Sequence, residues 1–325
     1  MQVRHTLKMA AWALVLAQAG AIASAPAAES QYPARPITII VGYAAGGGND
    51  VLARIVAEEM SKGLKQPVIV ENRPGVASIV GAAYVAKAKP DGYTLFWGAS
   101  GPISFNPALY SKLPYKVEDF TPVSLTAKFP LVLVSDASLP IKSVPDLVAY
   151  SKQHPDKANY GSSAASFQLV TELFNARTGA RFSHIPYKGS NESIQSVMAG
   201  NVTMAITDPA PATVGLQSKR IRALAVTSAQ RADFLPEVPT MRESGIDLEV
   251  ELWAGLLAPA GTPEAVVATL QKEIERVVAL PQVRSKMAGL GCVAAATSSS
   301  DFRRLIEAEV PFWTKVAKEN NIKMD

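Results

Sequence analysis

Ile37-Thr38-Ile39-Ile40-Val41-Gly42-Tyr43-Ala44-Ala45-Gly46-Gly47-Gly48-Asn49-Asp50, followed by Val51 to Leu64, is the stretch on which the fold turns. Its first five residues are β-branched and apolar, the signature of a strand buried on both faces. From Val51 the period changes. Leu52, Ile55, Val56 and Met60 recur at helical spacing beside an acidic edge. A buried strand, a glycine turn and an amphipathic helix open a βαβ unit. Three successive glycines at the turn let backbone N–H groups approach a ligand closely. The helix N-terminus behind them carries partial positive charge and unpaired donors. Together these hold a carboxylate or phosphate without a lysine. The alternative is a plain turn with Asn49 or Asp50 as the helix cap. Gly46-Gly47-Gly48-Asn49-Asp50-Val51 is not the dinucleotide spacing Gly-x-Gly-x-x-Gly, and no Gly-Lys-Ser/Thr follows to make a P-loop.

Outward from this corner the pattern repeats. Pro67-Val68-Ile69-Val70 and Tyr93-Thr94-Leu95-Phe96-Trp97 read as strands, with a helix over 79–87 between them. Strand, helix, strand, helix predicts parallel pairing. Further strands are expected at 131–134, 202–206 and 221–226. Helices are expected from a Ser143 cap, over 167–177 and 194–199, from a Thr262 cap with Pro263 in the first turn, and over 300–320. The chain has 325 residues, too many for one comfortable core, so two lobes are expected. The class is α/β.

Loops after the carboxyl ends of strands line the crevice of an open α/β sheet. The candidates are the glycine turn, Gly98-Ala99-Ser100-Gly101-Pro102, Gly161 to Ser166, Pro186 to Ser190, and Asp208. Each by itself also reads as an ordinary capped turn; five polar loops at strand ends favour a shared crevice. A nucleophilic reading of Ser100 lacks both the final glycine of the elbow motif and a base. Beyond the N-terminal region the histidines are His154, at an exposed helix end, and His184, a lobe-interior residue. These and the single Cys292 give no ligand spacing for a metal. Cys292 reads as a buried structural thiol with no basic neighbour in sequence. Glu307-Ala308-Glu309 reads as a solvated helix face.

The N-terminus has a different character. Arg4, His5 and Lys8 precede an apolar run from Met9 to Ile22, then small residues. This is the pattern of a cleaved secretory signal, taken as 1–27, with Ala21-Ile22-Ala23 and Ala25-Pro26-Ala27 both fitting the cleavage rule. An uncleaved anchor is the alternative, although the run is short for a span. Loss of Arg4 and Lys8, with no acid lost, lowers the net charge from +4 to +2. No Lys/Arg tract with interleaved aromatics is present, which argues against a nucleic-acid partner.

Several motifs run in order along the chain. They are Tyr32-Pro33-Ala34-Arg35-Pro36-Ile37, the turn at 44–50, Val70-Glu71-Asn72-Arg73-Pro74-Gly75, and Lys89-Pro90-Asp91-Gly92-Tyr93-Thr94-Leu95. After these come Asp119-Phe120-Thr121-Pro122-Val123, Pro186-Tyr187-Lys188-Gly189, Arg222 to Thr227 and Gly255 to Pro263. With them the chain resembles the Bug/TctC family, the substrate-binding proteins of tripartite tricarboxylate transporters, from Tyr32 to about Lys323. The resemblance implies a two-lobed, type II-like periplasmic binding fold with two crossover strands, lobe one at 32–130 and 255–325, lobe two at 131–254. It implies a periplasmic receptor, a small carboxylate ligand held mainly by backbone N–H groups, and delivery to membrane permease subunits. No enzyme activity, cofactor or metal is implied, and a monomer is expected. Carried over residue by residue, it points to Ala45, Gly46, Gly47, Gly48, Asn49 and Asp50, and across the crevice to Ser162, Ser163, Ala164, Ser166, Tyr187 and Asp208. Ser100 joins them from its loop.

This sequence departs from the family pattern at Asn49, where threonine or serine is common, at 101–105, and at 163–168, which lacks the usual glycine. Phe105 and Phe167 in those segments suggest a more apolar pocket, suited to an aromatic or branched carboxylate. The alternative role is a periplasmic sensor that reports the same ligand to a signalling partner. An enzyme is the third reading.

Overall fold

β1 (Ile37–Val41) lies between two parallel neighbours, which is why its residues are apolar on both faces. α1 (Gly48–Leu64) returns the chain to β2 (Val68–Asn72), and α2 (Ile79–Ala86) returns it to β3 (Thr94–Ala99). A π-helical turn (Gly101–Phe105), the single-turn α3 (Asn106–Leu109) and the long β4 (Phe120–Pro130) follow. The chain then enters a second sheet: β5 (Val132–Asp136), α4 (Val144–Gln153), β6 (Asn159–Ser162), α5 (Ala165–Thr178), β7 (Ser183–Pro186), α6 (Ser190–Met198), β8 (Met204–Thr207), α7 (Pro209–Gln217) and β9 (Ile221–Val226). β10 (Glu251–Pro259) returns to the first sheet, and α8 (Glu264–Ala279), α9 (Pro281–Gly289), β11 (Val293–Ala294) and α10 (Ser299–Glu319) complete the fold. This computed structural model describes residues 32–324, so the expected secretory signal lies outside the described residues.

The sheets have the orders β11-β4-β10-β3-β1-β2 and β7-β6-β8-β5-β9. Parallel pairing holds within β1–β3 and within β6–β8. The strands entering and leaving the second sheet pair antiparallel, β10 with β3 and β4, and β5 with β8 and β9. These are the two crossings of a two-lobed periplasmic binding fold. Each sheet carries its own apolar cluster, one around Ile40, Phe96 and Phe302, another around Leu133, Tyr160 and Phe174. Each large side chain so buried contributes about 1.5–3 kcal/mol. Trp313 and Val316, near the end of α10, belong to the second of these clusters. Phe105 joins them, its ring centroid 4.7 Å from that of Trp313.

Three local expectations need correction. α1 starts three residues early, because the Val51 N–H reaches Gly47 O at 2.9 Å and draws Gly48, Asn49 and Asp50 into its first turn. Ser143 caps α4 as expected, accepting from the Asp146 N–H. Thr262 does not cap α8: its hydroxyl donates backward to Pro259 O at 2.8 Å. Glu309 is not on a solvated face. It is half-buried and accepts from Ser104 Oγ at 2.6 Å and Trp253 Nε1 at 2.8 Å. Burial raises its carboxyl above the ordinary value against those bonds and nearby Lys128.

Among the described residues no helix is long and apolar enough to cross a membrane. Cys292 is buried, donates to Met287 O, and has its thiol pushed up to about 12 by burial.

Candidate functional site

The first corner is built on close backbone approach. A Cβ on Gly42 would fall 1.7 Å from Ser78 Oγ and 3.1 Å from Ser78 Cα, so β1 leaves the sheet through a position that admits only glycine. Gly46 then turns with φ +81°, a conformation costly for any residue with a Cβ. Gly47 is the N-cap of α1 and offers no side chain to the helix donors. Asp50, in the first turn, is 2% exposed. Its carboxylate accepts from Gly46 N–H at 2.8 Å, Arg54 Nε at 3.0 Å and Asn72 Nδ2 at 2.8 Å. Burial opposes ionisation, but these bonds and the Arg54 charge hold the carboxyl below its ordinary value. Asp50 therefore braces the loop. Asn49 Oδ1 accepts from Trp97 Nε1 at 3.2 Å.

The second corner gathers three helix starts. α5 begins after β6 with Ala164 as N-cap and no side-chain bond to its donors. α6 begins after Gly189, and α7 after Asp208, again with no side-chain cap bond. A hydroxyl chain links them: Ser163 Oγ lies 2.9 Å from Ser190 Oγ, which donates to Asp208 Oδ2 at 2.7 Å. Burial raises the Asp208 carboxyl above its ordinary value, with the Ser190 bond opposing.

Between the corners lies a cleft of about 460 Å³. Gly48, Asn49, Ser100, Ala164, Ser166 and Asp208 line it. Ala45, Gly46 and Gly47 stand on the exposed turn leading to Gly48, outside the lining. Ser162, Ser163 and Tyr187 stand outside it too. Ser162 Oγ is 2.7 Å from His184 Nε2, and the Tyr187 hydroxyl is hydrogen-bonded to Ser196. The Ser162–His184 pair has the geometry of a nucleophile and base, but Ser162 is buried and lines no part of the cleft. His184 stacks on Tyr160, and burial lowers its pKa.

The remaining walls are mostly apolar: Phe105, Phe129, Phe167, Leu252 and Trp253 among them. Phe105 and Phe167 stand out in the sequence as departures from the family pattern. Phe129 and Trp253 do not, since each sits in a strand where an aromatic residue is ordinary core. Among the described residues that line the cleft there is no Lys, Arg or His. The ionisable ones are Asp208 and Tyr43, whose phenol burial keeps protonated. Attraction for an anion must come from backbone donors at uncapped helix starts, each N-terminus worth about half a positive charge.

Known proteins share this architecture. Residues 52–322 match the family described as tripartite tricarboxylate transporter family receptor, TctC. Protein BugT of Bordetella pertussis is 35% identical over 306 residues, 93% of this chain and 94% of BugT. An R. palustris protein solved with adipate superimposes with a TM-score of 0.78 at 35% identity, covering 90% of this chain and 99% of that one. MatC from Rhodopseudomonas palustris, solved with bound malate, gives 0.73 at 30% identity, with 88% and 99% covered. These are solute-binding proteins rather than enzymes, and this chain belongs to their family, the TctC/Bug receptors of tripartite tricarboxylate transporters.

Proposed function

We propose that the protein is an exported periplasmic receptor that captures a small carboxylate in the cleft between its two sheets and passes it to the membrane subunits of a tripartite tricarboxylate transporter. The observation that carries this is the convergence of helix starts without side-chain caps on one cleft that, among the described residues, is lined by no cationic side chain. Backbone N–H groups of Gly48 and Asn49 on one side, and of Ala165 and Ser166 on the other, are the donors for the carboxylate. Relatives solved with adipate and malate support that ligand class. The lobes divide at the crossings, 32–130 with 255–325 against 131–254, and the end of α10 packs across the division. The protein works as a monomer. Closure of the lobes follows from a ligand that binds the closed state better than the open one.

The aromatic walls favour a ligand with an apolar body over a tricarboxylate. The test is thermal unfolding against dicarboxylates, tricarboxylates, acidic amino acids and aromatic acids, with sugars as controls. A ligand at about 100 times its Kd adds about 2.7 kcal/mol, a shift of several degrees. A shift with acids and none with sugars is expected. A shift with sugars alone would overturn the carboxylate assignment. Citrate or malate binding best, with aromatic acids inert, would overturn the apolar preference.

A further inference from the structure

The cleft presents an electrostatic problem that its walls do not solve. It attracts an anion, yet among the described residues that line it the one acid, Asp208, is joined by no cation. Asp208 is half-buried, and among the described residues its carboxylate accepts one bond from another residue, from Ser190 Oγ at 2.7 Å. The ionisable groups on the surrounding elements are engaged elsewhere or exposed. Glu192 of α6 accepts from the Lys188 N–H, and Glu172 of α5 accepts from the Tyr160 hydroxyl and the Asn175 amide. Arg177, at the far end of α5, pairs with Asp247. Arg284 and Lys286 of α9 are exposed, as are Lys219 and Arg220 beyond the end of α7. Cys292, beyond α9, donates to Met287 O. Across the cleft stands the Tyr43 phenol.

The hydroxyl chain Ser163–Ser190–Asp208 ties this carboxyl to the start of α5, where the Ala164 cap leaves the backbone donors free. A carboxylate bound there lies close to Asp208. Two carboxylates sharing a site without a cation cannot both stay ionised, and one of them holds a proton.

We infer that Asp208 takes up a proton from solvent as a carboxylate enters the cleft, and donates the resulting O–H to that ligand, so that anion and proton are captured together. One O–H bond forms on Asp208, one proton leaves the buffer, and the net charge added to the cleft is zero for a monoanion. Burial already biases free Asp208 toward this state. Asp208 thereby becomes the side chain that selects the ligand: its one proton compensates one anionic group and leaves a second carboxylate uncompensated. The inference rests on the carboxylate assignment above.

The test is calorimetric titration with benzoate, adipate and malate at matched pH, in phosphate and in Tris, whose ionisation enthalpies differ. At pH values above the free-state pKa of Asp208, uptake of up to one proton per bound ligand is expected, with affinity weakening by up to about tenfold for each unit the pH rises. Asp208→Asn, which keeps a donor and the Ser190 contact, should bind without proton uptake and with a flat pH profile. A carboxylate that binds the wild-type protein with no proton exchanged and unchanged affinity overturns the inference and leaves the receptor assignment standing. Uptake that persists in Asp208→Asn also overturns it. If none of the three acids binds, the carboxylate assignment itself fails and this inference falls with it. The wild-type buffer comparison needs no variant to fold.

Discussion

Asp50 and Asp208 occupy matching places. Each sits at the start of a helix whose N-terminus opens on the cleft, one after β1 and one after β8. Their environments push them in opposite directions. Asp50 is surrounded by a guanidinium, an amide and a backbone N–H, and stays ionised despite burial. Asp208 has one hydroxyl partner, and burial drives it toward the neutral acid. The same residue type, inside the first turn of α1 and at the N-cap of α7, is thus a brace on one side and a ligand-facing group on the other. What separates them is the number of donors within reach, above all Arg54.

The comparison can be broken most directly at Asp50. Asp50→Ala leaves the Arg54 guanidinium, the Asn72 amide and the Gly46 N–H without their acceptor. A loss of about 2–3 kcal/mol in chemical denaturation is expected, together with weaker ligand binding. A change below about 0.5 kcal/mol would mean that Asp50 does not hold the loop. The next effect sharpens the role of the uncapped helix starts. Ala164 is exposed and has the extended backbone of an N-cap. Ala164→Asp should therefore stabilise α5 by about 1 kcal/mol. It should also weaken carboxylate binding by about tenfold or more, because the new side chain takes the donors that the ligand needs. Stability and affinity rising together would show that the start of α5 is not part of the anion site.

The smallest effect is on the stability of Asp208→Asn without ligand, and its sign is fixed by linkage. A carboxyl whose folded-state pKa is raised contributes stability that is fully present below its unfolded value of about 3.9. That contribution is lost as pH rises through the folded-state pKa. The variant, which does not titrate, should match the wild type within about 0.5 kcal/mol in acid and outlast it as pH rises through that folded-state value. Asp50 works the other way. Its contribution is present above about pH 3.9 and is lost as pH falls through its depressed folded-state value. Asp208→Asn becoming less stable than the wild type as pH rises would remove the contrast between the two acids.

How much of this was legible depended on the range of each interaction. β1 and β9 were readable to the residue, because a run of β-branched and apolar side chains bounded by turn residues reports a buried strand locally. The first-turn position of Asn49 and Asp50 was not, since glycines have poor helix propensity and only the Gly47 carbonyl shows that the helix has begun. β4 could be placed only as part of a family motif, and its 11 residues carry no clean alternation because most of them are buried. At the site, the glycine turn and the serine loop were legible as loops, yet Ser162 and Tyr187 turned away to His184 and Ser196. A sequence period says which residues share a face but does not say which of two hydroxyls finds a partner first.

By itself the sequence determined the alternation of strand and helix that opens the fold, several later strands and helices, the two glycine- and serine-rich corners, the α/β class and, through its motifs, the family. These follow from local propensity and from the backbone freedom of glycine, which act over a few residues. Only the tertiary structure decided which polar groups face the cleft. Ser104 and Glu309 are 205 positions apart, Arg276 reaches Glu59 O across 217, and Trp253 joins both the cleft wall and the Glu309 carboxylate. The difference between Asp50 and Asp208 is of this kind. Both are aspartates at helix starts, and whether a buried charge is compensated depends on which distant side chains the fold brings within about 3 Å of it.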